Sequence, residues 1–177
     1  MQWPQWARRS APPSGNSAIA KKALVTQHMG DQLWVDSASA RVYKRRPHTI
    51  TAEFDGKTED GRVVLTHDVP AGVEYMFEPK HEVDVTAKAE VYYDGGRSVV
   101  GGAVGTINVD VWDLFEREYR GKLASGYVNY GTKARVRASL RAVTGDKVRF
   151  TVLCPDFAQQ ELSVRIGLTC DALIRMA

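Results

Sequence analysis

Residues Tyr127–Val143 read YVNYGTKARVRASLRAV. Within them Ala134, Val136, Ala138, Leu140 and Ala142 alternate with Lys133, Arg135, Arg137, Ser139 and Arg141. Successive side chains of a strand point to opposite faces, so this pattern makes one face apolar and gives the other four cations. A helix would scatter Arg135, Arg137 and Arg141 around its cylinder and would not align Ala134 with Val136. The stretch therefore predicts a long strand of an antiparallel sheet, buried on one side and basic on the other. Two accounts of the basic side stand: a solvated sheet face, or a surface that meets a polyanion.

The remaining chain supports the same fold class. His48–Phe54, Glu82–Tyr93, Ala103–Trp112, Lys147–Cys154 and Leu162–Cys170 alternate in the same way, and Leu33–Val35, Arg41–Tyr43, Arg62–Thr66 and Val73–Glu78 are shorter strand-like runs. Asp55-Gly56, Asp60-Gly61, Asp94-Gly95-Gly96 and Thr144-Gly145-Asp146 supply the turns between them. Trp112–Arg120, WDLFEREYR, places Trp112, Phe115 and Tyr119 on one helical face before Gly121, and predicts a short helix inserted between strands. About eight strands at short intervals, with few helices, indicate an all-β, jelly-roll-like antiparallel sandwich over residues 31–177.

Residues 1–30 read differently. Pro4, Pro12, Pro13, Ser14, Gly15 and Asn16 form no packed element, and Arg8 and Arg9 add charge. This predicts a flexible basic arm ending in a short helix over Asn16–His28, which carries Lys21 and Lys22. Trp3 and Trp6 are large aromatics in a flexible segment and are expected to dock, on a neighbouring subunit or a nucleobase.

The net charge of +3 conceals a segregation. Residues 1–50 hold eight Lys/Arg against two Asp/Glu, residues 51–130 eight against fifteen, and residues 131–177 eight against four, giving +6, −7 and +4. Basic ends around an acidic middle suggest an anionic partner on one side of the molecule. The cations that would meet it are Arg8, Arg9, Lys21, Lys22, the knot Arg41, Lys44, Arg45 and Arg46, and the strand cations Lys133, Arg135, Arg137 and Arg141. Phosphate neutralisation needs only cations within reach of the backbone. Replacing Arg135, Arg137 and Arg141 together is expected to weaken RNA association and leave the fold intact.

Catalysis is not expected. The four histidines, His28, His48, His67 and His81, lack metal-ligand spacing, and His67-Asp68 reads as a solvated loop. The two cysteines, Cys154 and Cys170, lie in apolar runs and read as buried free thiols. No G-x-S-x-G, P-loop or G-x-G-x-x-G occurs, and the glycines from Gly95 to Gly105 are better explained by turning and close backbone approach. No cofactor or metal is implied. With no long apolar run and no continuous apolar N-terminal region, neither a membrane span nor a secretory signal is expected, and the chain reads as intracellular.

A short basic, Pro-containing arm (Met1–Lys22), a β domain of about eight strands (Leu33–Cys170) and a short helix between strands (Trp112–Arg120) together resemble the small single-jelly-roll coat proteins of icosahedral positive-strand RNA viruses. The resemblance covers the whole chain and rests on layout and charge, with no signature motif. The arm departs from the family pattern in holding only four cations in its first 22 residues. The resemblance implies self-assembly of many copies into a shell around single-stranded RNA, in the virion and, during assembly, in the host cytoplasm. Two other readings stay open: a nucleic-acid-binding β protein that forms no shell, such as a viral movement protein, and a jelly-roll ligand-binding or phage structural module.

Overall fold

The computed structural model describes residues 32–93, 97–129 and 131–176. Twelve strands follow in chain order: β1 (Gln32–Val35), β2 (Val42–Gly56), β3 (Arg62–Asp68), β4 (Val73–Phe77), β5 (Glu82–Tyr93), β6 (Arg97–Gly102), β7 (Val104–Asp113), β8 (Glu118–Asn129), β9 (Thr132–Arg135), β10 (Leu140–Ala142), β11 (Lys147–Leu153) and β12 (Leu162–Arg175). Every pairing among them is antiparallel.

The strands form two sheets. In the eight-stranded sheet β12 lies between β2 on one side and β5 then β4 on the other, with β9 and β6 beside β5 and β10 beside β4. The four-stranded sheet runs β3-β11-β7-β8. The paths β2-β12-β5-β9 and β3-β11-β7-β8 make the two interlocked Greek keys of a jelly roll. Eight positions suffice once β4 with β5, and β9 with β10, are each seen as one interrupted strand. The hairpin partners β1 and β6 extend the larger sheet.

Alternation fills the space between the sheets. Val83, Val85, Ala87 and Ala89 of β5 and Leu162, Val164, Ile166 and Leu168 of β12 turn inward, against Ile107, Val109 and Val111 of β7 and Val148, Phe150 and Val152 of β11. All of these are buried, and removing the Phe150 ring would cost about 3–5 kcal/mol. Gly105 is where β7 passes β11: a Cβ there would lie 2.0 Å from the Leu153 carbonyl oxygen, a close approach that only glycine permits.

Two expected elements differ. Trp112–Arg120 is no helix; its ends belong to β7 and β8, and residues 114–117 form the turn between them. Trp112 and Tyr119 are cross-strand partners whose rings lie 5.1 Å apart. Asp113 Oδ1 accepts from the amides of Phe115 and Glu116 as an N-cap would, but Arg117 takes a left-handed φ of 57°, which ends the turn and returns the chain to β8. Among the described residues the helical element is the 3-10 turn Pro155–Phe157.

The long strand at Tyr127–Val143 is also broken. Tyr127–Asn129 ends β8, and Thr132–Arg135 and Leu140–Ala142 are separate strands. Between the last two the chain leaves the ladder, with the Val136 amide donating to His81 O and the Arg137 amide to Leu123 O. Residues 136–137 thereby tie β8 to the end of β5.

Candidate functional site

The break in that strand redistributes its cations. Lys133 and Arg135 stand on the outer face of the larger sheet, opposite Asp84 and Glu82 of β5. Lys133 Nζ lies 3.8 Å from Asp84 Oδ2 and Arg135 Nε 4.0 Å from Glu82 Oε2, loose pairs between exposed side chains. Arg137 is exposed and makes no ion pair among the described residues. The repulsion expected between neighbouring cations is thus answered from within the sheet by β5.

Arg141 lies further along the same face. β10 pairs β4 and sets Arg141 beside Met76, so its guanidinium reaches Glu74 Oε1 at 2.6 Å and Asp36 Oδ2 at 2.9 Å. It also lies 5.1 Å from the ring centroids of both Trp34 and Tyr43. The Tyr43 hydroxyl donates to Glu74 Oε2 at 3.1 Å, closing the network. Burial works against the charge of Arg141, but hydrogen bonds to Asp36 and Glu74 outweigh it and raise its pKa. Asp36 is likewise pushed up by burial and brought below the ordinary carboxylate range by the Arg141 and Ala38 hydrogen bonds.

Arg45 has the same fate. It donates to Asp171 Oδ2 at 2.6 Å and to Glu78 Oε1 at 2.7 Å, while Lys80 stands 3.5 Å from both carboxylates. His81 is buried, accepts the Glu78 amide on Nδ1 at 3.0 Å and turns Nε2 toward Asp171, 3.7 Å away. Burial raises the Asp171 pKa, but Arg45 more than offsets it, so the carboxyl stays below its ordinary range. Arg41 and Arg46 are exposed and Lys44 is half-buried; Lys44 and Arg46 have contacts of their own. Arg8, Arg9, Lys21, Lys22, Trp3 and Trp6 lie outside the described residues.

Arg45, Lys133, Arg135 and Arg141 therefore do share the outer face of the larger sheet, but each of them meets carboxylates there. Arg45 and Arg141 act as structural ties, Lys133 and Arg135 face carboxylates, and Arg41 and Arg137 stand in solvent. The sequence did not mark Asp36, Glu74, Glu78 and Asp171 as their partners.

The histidines also differ from expectation. His67 lies within β3, not in a solvated loop, and its Nε2 is 3.0 Å from the Tyr75 hydroxyl oxygen. His48 stacks on the same Tyr75 ring at 5.5 Å and 8°. Burial pushes the Tyr75 hydroxyl up, the reverse of an activated nucleophile. Cys154 and Cys170 are buried free thiols; burial raises both, Cys170 to about 12 with help from Asp171. Among the described residues no group of three His, Cys, Asp or Glu is placed to hold a metal ion.

Apolar exposure concentrates on the smaller sheet. Phe115 is 81% exposed and Leu114 45%, both in the β7–β8 turn, while Tyr127 on β8 is 78% exposed. The turn is tightly fixed. Besides the two Asp113 bonds, the Leu114 amide donates to Asp146 Oδ1 at 2.9 Å, and the buried Asp146 also accepts the Val143 amide.

No family model matches this sequence, and no curated protein matches it. Solved structures resemble it only distantly. An arabinose-bound α-L-arabinofuranosidase is 12% identical with a TM-score of 0.33, covering 80% of this chain and 22% of its own. A structure of infectious bursal disease virus, Gx strain, is 10% identical with a TM-score of 0.36, covering 75% and 38%. The chain thus spans well under half of either. The acid-stable capsid of Helicobacter pylori bacteriophage KHP30 is 13% identical with a TM-score of 0.31, covering 75% of this chain and 98% of that one. Viral capsids and a sugar-active enzyme stand side by side in this group, and these likenesses do not separate one function from the other.

Proposed function

We propose that this chain is a structural subunit: many copies associate into a shell, as in a virion, and basic residues contact single-stranded RNA. The observation that carries the reading is the β7–β8 turn. An isolated exposed apolar side chain is ordinary, but here Phe115 and Leu114 are adjacent and held out by a turn fixed through three of its backbone amides, those of Leu114, Phe115 and Glu116. A rigid aromatic loses little entropy on burial, which suits an anchor between subunits. Arg41 and Arg137, with Arg8, Arg9, Lys21 and Lys22, are the cations assigned to RNA; Lys133 and Arg135 are secondary because Asp84 and Glu82 face them. The reading assigns the chain no covalent chemistry.

Electron microscopy of the purified protein together with its 260/280 nm absorbance ratio tests both halves. Uniform particles carrying nucleic acid are expected, and Phe115→Ser with Leu114→Ser should shift the protein to small species that melt as the parent does. Nucleic acid bound in salt-sensitive fashion without particles would favour the non-shell reading. Neither particles nor nucleic acid would overturn the proposal.

A further inference from the structure

Tyr75 occupies a position that the assembly reading leaves unused. It is buried on β4 in the larger sheet, and imidazoles from both sheets meet it. His48 of β2 lies flat against its ring, and His67 of β3, the first strand of the smaller sheet, meets its hydroxyl at 3.0 Å with ring centroids 5.8 Å apart. Tyr75 packs in turn on Phe77, 6.3 Å away, which is fully buried. The two sheets are therefore joined at this end through an imidazole–phenol–imidazole stack.

We propose that this stack is an acid-sensitive tie between the sheets, closed when both imidazoles are neutral and loosened when they take up protons. His48 is exposed. Charge on His48 then opposes charge on His67, which burial already disfavours, while Asp68 favours it only weakly. The surroundings offer little compensation. Arg46 and Lys44 share the His48 face of β2, and Cys170 of β12 is the residue opposite His48. On β11, Lys147 stands 3.9 Å from Asp68, itself mostly exposed. Lys80, His81 and Asp171 border the open depression that His48 also lines, and Asp171 is already engaged by Arg45. Two protonated rings around Tyr75 would thus repel each other, with Asp68 mostly exposed and Asp171 already engaged by Arg45.

The direction follows from linkage. His67 is held below its ordinary value of 6.5 in the fold, so the unfolded chain takes up its proton first as pH falls. The stability that the neutral tie supplies is complete above that value. It drains away as pH drops through 6.5 toward the folded value.

Thermal melts of the full chain between pH 7.5 and 5.5, above the carboxylate range, test this. The melting temperature is expected to fall across that window, His67→Gln to flatten the fall, and His48→Gln to lessen it. A flat profile for the parent, or an unchanged slope in His67→Gln, would overturn the tie. Should His67→Gln fail to fold, hydrogen exchange on the parent protein decides. Amides of β3 and β4 should lose protection at pH 5.5 relative to β11, after correction for intrinsic rates, and uniform protection would overturn the proposal.

Discussion

Arg141 shows how one residue can satisfy a pattern and serve another purpose. Its place in the alternation makes it one of four surface cations, but its guanidinium bridges Glu74 and Asp36 and lies against Trp34 and Tyr43. At 28% exposure it stands between solvent pairs, worth about 0.2–1 kcal/mol, and fully buried ones, whose breakage costs about 3–5 kcal/mol. Arg141→Ala is therefore expected to cost about 2 kcal/mol by denaturant unfolding. Lys133→Ala and Arg135→Ala should each stay within about 0.5 kcal/mol. Equal losses at the three positions would show that the Arg141 network contributes nothing special. Replacing Arg135, Arg137 and Arg141 together is accordingly expected to lower stability through the third position. The same network sets an acid limit. Asp36 lies below its ordinary range in the fold, so its contribution is present above ordinary carboxylate values and is lost as pH falls through its folded value. Arg141→Ala should flatten the stability profile in that acidic region and leave the His67 window unchanged.

Elements were legible where side-chain period and hydrogen bonding agree. β5 buries Val83, Val85, Ala87 and Ala89, and β12 buries Leu162, Val164, Ile166 and Leu168, as alternation predicts, because a two-sheet sandwich covers one face of each. The misread helix has a specific cause: Trp112 and Tyr119 are seven apart, which fits two helical turns and equally well a hairpin whose strands face each other. Pro47 lies inside β2, although proline cannot donate to a ladder. Among the described residues β1 stops at Gln32 opposite Arg45, so Pro47 has no ladder partner on that side to disappoint. The candidate site was less legible because its partners are remote. Arg141 meets Glu74 and Asp36 across 67 and 105 residues, separations that no local pattern encodes. Close approach at Gly105 was legible, and it gives a sharp test. Gly105→Ala would place a methyl 2.0 Å from the Leu153 carbonyl oxygen and 2.8 Å from Cys154 Sγ, so β7 and β11 must separate. A loss of more than about 3 kcal/mol is expected, the size reserved for overpacking against backbone. Gly167→Ala, whose methyl meets Thr49 at 3.5 Å, should stay within about 0.5 kcal/mol and serves as the control. A mild Gly105→Ala would mean that these strands can part at little cost.

Across the whole molecule the question is which cations an RNA strand would meet. A net charge of +3 in 177 residues is modest, and the +6 of residues 1–50 exceeds it. On the larger sheet, Asp84 and Glu82 already oppose Lys133 and Arg135, and displacing them would cost part of what phosphate contact returns. Salt dependence separates the cases, because each phosphate contact with a single strand adds about 0.7 to the slope of log affinity against log salt. Fluorescence anisotropy with a single-stranded RNA oligonucleotide over a salt series would read that slope. If Lys133, Arg135 and Arg137 all bind phosphate, replacing them with Ser should make the slope shallower by about 2. With Asp84 and Glu82 holding two of them, the change should fall below about 1, while deletion of residues 1–30 should produce the larger drop. A drop near 2 in the triple Ser variant would place the RNA on the sheet face, and the basic knot and arm would then have to be assigned to contacts between subunits.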